Sequence, residues 1–276
     1  MIRGLYTAAS GMVAGERRQD VISNNLANVN TIGFKKDDSI MRSFPEMLLY
    51  SLNDHTGSGP QSISPGMPNI GSVGTGAFLE EVLTRFSQGP LKATDNKYGY
   101  AIEDVEHPGE PRRASFFPME DAQGNSYVSR DGDFHLDTQG YLVNSAGFFV
   151  QAVDATGKPI PNSRVKFDEQ SGSLVAGMAV GVGGFQLNTN LQFKIIDIQD
   201  TNQLQQAGTG SYRYNPASVA TGTGELKKGF VETSNVDVAQ AMTDMMAVMR
   251  SYEANQRMIR TLDSTLDKAV NSLGRI

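Results

Sequence analysis

The sequence predicts an α+β fold: a β-rich central domain flanked by N- and C-terminal helices that form a coiled-coil-like layer. Three observations predict it: apolar residues recur every seven positions at both ends, alternating segments with turn signals fill the middle, and a Gly/Pro/Ser-rich stretch separates the first end from that middle.

The N-terminal repeat places Leu5, Met12, Gln19 and Leu26 at one seam position and Ala8, Gly15, Ile22 and Val29 at the other. The C-terminal repeat is cleaner. Val238, Met245, Tyr252, Ile259, Leu266 and Leu273 recur at spacing seven, with Ala241, Val248, Asn255, Leu262 and Ala269 three residues after the first five. Such seams hold one helix face against a partner and favour a left-handed supercoil. Ser234 and Asp237 approximate a capping box, so the second helix is expected from about 234 to the residue before Gly274, roughly 55 to 60 Å long. A stripe that long exceeds what a domain of this size covers, so part of it needs another surface. Gly4, Gly11 and Gly15 each cost about 1 kcal/mol relative to Ala inside a helix, and the first helix is weak alone. Both ends are expected to gain order on association, against the alternative of an ordinary intramolecular hairpin.

The first helix runs into Asn24, Asn25, Asn28 and Asn30 before Gly33. Asparagine competes for backbone hydrogen bonds inside helices and suits their ends. The residues alone allow a fraying last turn or a recognition surface. From Asp54 to Gly76, thirteen of twenty-three residues are Gly, Pro or Ser, a composition that resists helix and sheet alike. Residues 41–77 therefore read as an extended arm, either a solvated tether or one that docks on a neighbour. The expected divisions are 1–40 helical, 41–77 arm, 78–225 β-rich body and 226–276 helical.

Within the body, Asp131-Gly132 in YVSRDGDFHL is the strongest hairpin signal. DTQG at 137–140 and DATGKP at 154–159 mark further turns, and FKIIDI (193–198) and SYRYN (211–215) further strands.

Chemistry is hard to find. With no cysteine, disulfide, zinc-thiolate and Cys-nucleophile chemistry are excluded, as befits a chain indifferent to its redox compartment. His55, His107 and His135 match no metal spacing, and Asp131, Asp133 and Asp137 lack the Gly and Glu of a calcium loop. The glycine runs at 181–184 and from about 220 lack the Lys-Ser/Thr of a phosphate cradle, and no nucleophile elbow occurs. No catalytic residue, metal ligand or cofactor site is expected. A net charge of −6 without a long basic run argues against nucleic acid. No segment reaches transmembrane length and the start lacks a signal-peptide core, so export, if any, avoids a cleavable signal peptide. Arg112 and Arg113 read as surface charge or as partners for carboxylates of another subunit.

LYTAASGM followed by NNLANVNTIGFK at the start, and GFVETSNVDVAQAMTDMMAVMRSYEANQRMI near the end, resemble the signatures of the flagellar basal-body rod and hook protein family. QGPLKATDNKYGYAIED and YVSRDGDFHLDTQGYLVNSAGFFV are similar to its body motifs, in the same order. Length and closing block resemble rod subunits of the FlgF/FlgG type, and MRSFPEMLL at 41–49 resembles the Gram-positive FlhO type. The insertion VEHPGEPRRA after AIED departs from the pattern and leaves strand pairing around 104–115 open.

The resemblance implies a non-enzymatic axial subunit of the bacterial flagellum, exported by the flagellar type III apparatus and assembled beyond the cytoplasmic membrane with copies of itself and with other rod and hook proteins. It implies an inner coiled-coil layer of terminal helices. The assembly residues would be Leu5, Met12, Ile22, Asn24, Asn25, Leu26, Asn28 and Val29 at the start, and Val238, Met245, Val248, Tyr252, Asn255, Ile259, Leu262, Leu266 and Leu273 at the end. A secreted β-domain enzyme or glycan-binding module with helical oligomerisation arms, and a cap or adaptor for a filament end, are the competing readings.

Overall fold

The structure, a computed structural model, describes residues 2–50, 69–105, 113–154, 156–168, 173–180, 184–187, 191–208 and 210–273. His55 and His107, Arg112, residues 51–68 of the arm, most of the insertion before Ala114 and most of the glycine run at 181–184 lie outside these residues. The chain forms α1 (Ile2–Ala27), a run of strands, and α2 (Val238–Leu273). These elements divide into two compact units: residues 1–24, 37–83 and 239–276 in one, 25–36 and 84–238 in the other.

The first unit holds the helices and a strand ribbon. Asp37–Ser43 pairs with Ala77–Thr84, and Met47–Tyr50 pairs antiparallel with Asn69–Val73. The second pairing corrects the expectation that the Gly/Pro/Ser-rich stretch resists sheet formation. A partner strand supplies the backbone hydrogen bonds that local propensity does not forecast. Gly76, at φ +138°, lets the ribbon come down on α1, since a Cβ there would lie 2.1 Å from the Ser10 hydroxyl. The helix α2 starts at Val238, not near Ser234. The Ser234 hydroxyl accepts the Val236 amide at 3.3 Å and so caps a turn before the helix.

The second unit is the β body. Nine described strands form its main sheet around Ala114–Glu120, which pairs with Ser126–Ser129, Phe149–Val150 and Ile196–Ile198. Every residue of Ala114–Glu120 is buried. One core gathers Phe117, Met119, Phe134, Leu142 and Val150 with Ile102, and a second gathers Phe116, Val128, Ile196, Ile198 and Tyr212. Phe117 and Phe134 meet edge to face with centroids 5.1 Å apart. The body is closed by its last strands, because Glu225–Lys228 pairs with Tyr100–Glu103 and Phe230–Glu232 pairs with Leu91–Ala93.

The turns at 137–140 and 154–157 form as expected, with Gly140 and Gly157 at φ +80° and +81°. Asp131-Gly132 makes no hairpin: Ser126–Ser129 pairs with Ala114–Glu120 and Ser211–Arg213, whereas His135–Leu136 pairs with Leu142–Val143. The glycine serves close approach instead. A Cβ on Gly132 would lie 1.7 Å from the Tyr100 carbonyl oxygen, and the Gly132 carbonyl accepts the Tyr100 amide at 2.9 Å.

Candidate assembly surfaces and the anchor of the chain ends

In the first unit, α1 and α2 run antiparallel, and glycines mark where they meet. A Cβ on Gly4 would lie 3.3 Å from Leu262 Cδ1, one on Gly11 2.9 Å from Asn255 Nδ2, and one on Gly15 3.9 Å from Val248 Cγ1. The three partners are C-terminal seam residues. Glycines that weaken an isolated helix thus admit the seam of the second, and Asn255, the polar seam residue, lies over the space left at Gly11. Their spacing of seven and four is the signal for this packing in the sequence.

The expected interface residues divide accordingly. Ile22 and Val248 are buried; Leu5, Met12, Met245, Asn255, Ile259, Leu262 and Leu266 are half-buried; Val238, Tyr252 and Asn24 are exposed; Leu273 is the last helical residue. Beside the seam, Met242, Met246 and Met249 form an apolar stripe at i, i+4 and i+7, and sequence reasoning missed it.

The remaining asparagines and Gly33 belong to the second unit. Asn25 is buried, and Leu26, Asn28 and Val29 are half-buried. Asn28 organises the turn that ends α1: its carbonyl accepts the Thr31 amide at 3.1 Å, and its side-chain oxygen accepts the Thr31 hydroxyl at 3.2 Å. Gly33, at φ +69°, donates its amide to the Glu232 carbonyl at 2.8 Å. A Cβ there would lie 2.5 Å from the Arg130 carbonyl carbon and from the Asp131 amide nitrogen, so glycine is needed for conformation and for space.

Beyond that turn lies a cluster of four charges, three of them buried and the fourth, Asp104, half-buried. The Lys35 ammonium donates to Glu232 Oε1 at 2.6 Å and to the Ser87 carbonyl at 2.9 Å. Glu232 Oε1 also accepts the Gly89 amide at 2.7 Å, and Oε2 accepts Arg130 at 3.2 Å. Arg130 reaches both Asp104 oxygens, at 2.7 and 2.5 Å, and sits 5.3 Å from the Phe116 ring centroid. Lys35, Arg130 and Glu232 are each 1% exposed, which no solvated ion pair is. Burial first, and then the Arg130 guanidinium, lower the Lys35 pKa below its ordinary 10.5, while Glu232 opposes them. Removing any one charge strands the others in a dry site.

Asn235 clamps the same place. Its amide nitrogen donates to the Arg85 carbonyl at 2.9 Å and the Ser87 carbonyl at 3.1 Å, and its oxygen accepts the Lys36 amide at 2.8 Å. Elsewhere in the body, Arg113 pairs within the chain, with Asp197 at 2.9 Å, and so corrects the reading of it as surface charge or an intersubunit partner. Asp131 is buried, with its carboxylate held by the Ser145 hydroxyl and the Asp133 amide, and burial raises its pKa. His135 is exposed. Among the described residues no helix is long and apolar enough to cross a membrane.

Residues 5–35 match the family described as flagella basal body rod protein. Residues 114–175 match the flagellar hook protein FlgE/F/G D1 domain, and residues 227–273 match the C-terminal family of flagellar basal body rod FlgEFG proteins. The chain is 34% identical over 281 residues to the flagellar hook-basal body complex protein FlhO of Bacillus subtilis, with all of both chains covered. It belongs to the flagellar basal-body rod protein family. The rod protein FlgG of Bacillus subtilis is 30% identical, over 98% of this chain and 99% of that one. FlgG of Buchnera aphidicola subsp. Schizaphis graminum is 32% identical, over 97% and 98%. Each of the three matched rod-family segments supplies one fully buried charge to the cluster: Lys35 from the first, Arg130 from the second and Glu232 from the third.

Proposed function

We propose that the protein is a structural subunit of the flagellar basal-body rod, not an enzyme, and that it polymerises through its terminal helices into the shaft that transmits torque from motor to hook. Membership of the rod family over the full chain carries this reading. The helical unit supports it physically. After α1 has taken up part of the α2 seam, Val238, Tyr252 and the methionine stripe remain exposed, and burying each such side chain contributes about 1.5–3 kcal/mol. The partners are copies of this chain and other axial proteins, reached after passage through the flagellar export apparatus.

The Asn-rich turn has an internal role at Asn28, and recognition of neighbours falls to the exposed Asn24. The arm, whose Met47–Tyr50 pairs with Asn69–Val73, docks on a neighbouring subunit. No observation among the described residues favours the enzyme or glycan-binding reading. Deleting the gene, or only the codons for residues 1–24 and 239–276, is expected to abolish hook and filament in electron micrographs and to stop swimming. Normal flagella in either strain would contradict the proposal.

A further inference from the structure

The helical unit carries a groove and a ridge that the described residues leave unfilled. The groove, about 320 Å³, lies between α1 and the ribbon, lined by Val13, Ala14 and Arg17 on one side and Phe44, Phe78 and Leu79 on the other. The Phe44 and Phe78 rings stand 5.0 Å apart at its wall, and Val13 and Phe44 are 53% and 38% exposed. The ridge is Met242, Met246 and Met249 on α2, 50%, 51% and 42% exposed, and none of these residues lines the groove.

We propose that the groove of one copy receives the methionine ridge of the next. The fit is chemical. Methionine is unbranched, fills irregular apolar clefts and makes favourable sulfur contacts with aromatic rings, here Phe44 and Phe78. Charge agrees with it: Arg17 stands at the groove, and Glu253, four residues beyond Met249, continues the ridge on the same helix face. Among the described residues Glu253 pairs with Arg257 alone, at 3.9 Å and exposed, too weakly to hold it back. Because groove and ridge are different surfaces, the contact is heterologous and propagates from copy to copy. The heptad seam then binds α1 to α2 within a subunit, and the methionine face joins subunits. This deepens the rod-subunit reading and rests on it.

The absence of cysteine makes an engineered pair unambiguous. Basal bodies are isolated from cells whose only copy carries both Val13→Cys and Met246→Cys, oxidised, and probed on non-reducing gels. A ladder of covalent multimers is expected, whereas cells co-producing the two single variants yield dimers and no higher species. Monomers with an internal disulfide, a ceiling at the dimer for the double variant, a cross-link to a different axial protein, or no cross-link would each overturn the proposal. A second variant, Met246→Glu, is expected to lose hook and filament. If Met246→Glu cells swim and the pair does not cross-link, the groove-and-ridge contact is wrong while the rod reading stands; normal flagella in the deletion strain would remove both.

Discussion

The two units solve opposite problems. The β body buries charge: Lys35, Arg130 and Glu232 lie in its interior, each paired with another member of one cluster. The helical unit exposes hydrocarbon, with Met242, Met246, Met249 and Val13 in solvent and only Val248 buried along the described part of the α2 seam. A buried ion cluster is exacting in geometry and specifies one arrangement; an exposed methionine face is adaptable and specifies a need for partners. The body is therefore expected to be complete in one molecule and the helices to be completed by others.

The comparison breaks most sharply at the cluster. Glu232→Ala leaves Lys35 and Arg130 facing each other without a carboxylate between them, and is expected to cost about 3–5 kcal/mol of body stability, measured by denaturant unfolding. Simultaneous replacement of Lys35, Arg130, Glu232 and Asp104 by apolar residues of similar volume should cost far less, because no charge is then stranded. Next in size is Gly33→Ala. Left-handed strain alone costs about 1–3 kcal/mol, and the contact with the Arg130 backbone adds to it.

A smaller effect sharpens the point that buried charge is costly unless paired. Glu120 accepts from Gln151 and the Asn162 amide through one oxygen, and its other oxygen is buried without a hydrogen-bond partner among the described residues. Burial raises its pKa above the ordinary 4.5. The unfolded chain thus releases this proton first, and the stability contributed by Glu120 falls as pH rises from about 4.5 through the folded value. Glu120→Gln should flatten that part of the stability-against-pH curve, read by thermal unfolding across the acid range; an unchanged slope would contradict the assignment. The smallest effects belong to the helical unit. Gly15→Ala meets Val248 at ordinary contact distance, so the gain in helix propensity should stabilise by about 0.5–1 kcal/mol. Arg42→Ala, which removes an exposed pair with Glu80, should change stability by at most about 1 kcal/mol.

Legibility in the sequence followed the range of the interactions. The heptads placed both helices because their period is local, and DTQG and DATGKP placed two turns because φ > 0 at a glycine is local too. Asp131-Gly132 misled, since a pair suited to a hairpin is equally suited to close backbone approach, and only the distant Tyr100 decides between them. The cluster was illegible: Lys35 and Glu232 are 197 residues apart, and nothing near either marks it as buried. Even so, both lie in the two terminal segments that resemble the family's signatures, and the meeting of these segments in the body accounts for residues such as Gly33 and Asn235 in each.

The most direct test of the division of labour is hydrogen exchange on the isolated full-length chain, followed peptide by peptide. The account predicts slow exchange across 31–36, 87–93 and 230–236, where the cluster, Asn235 and the closing strands hold the body together, and rapid exchange along 2–24 and 239–273, whose apolar faces await other subunits. Slow exchange along both helices in the isolated chain, or rapid exchange at the cluster, would contradict it.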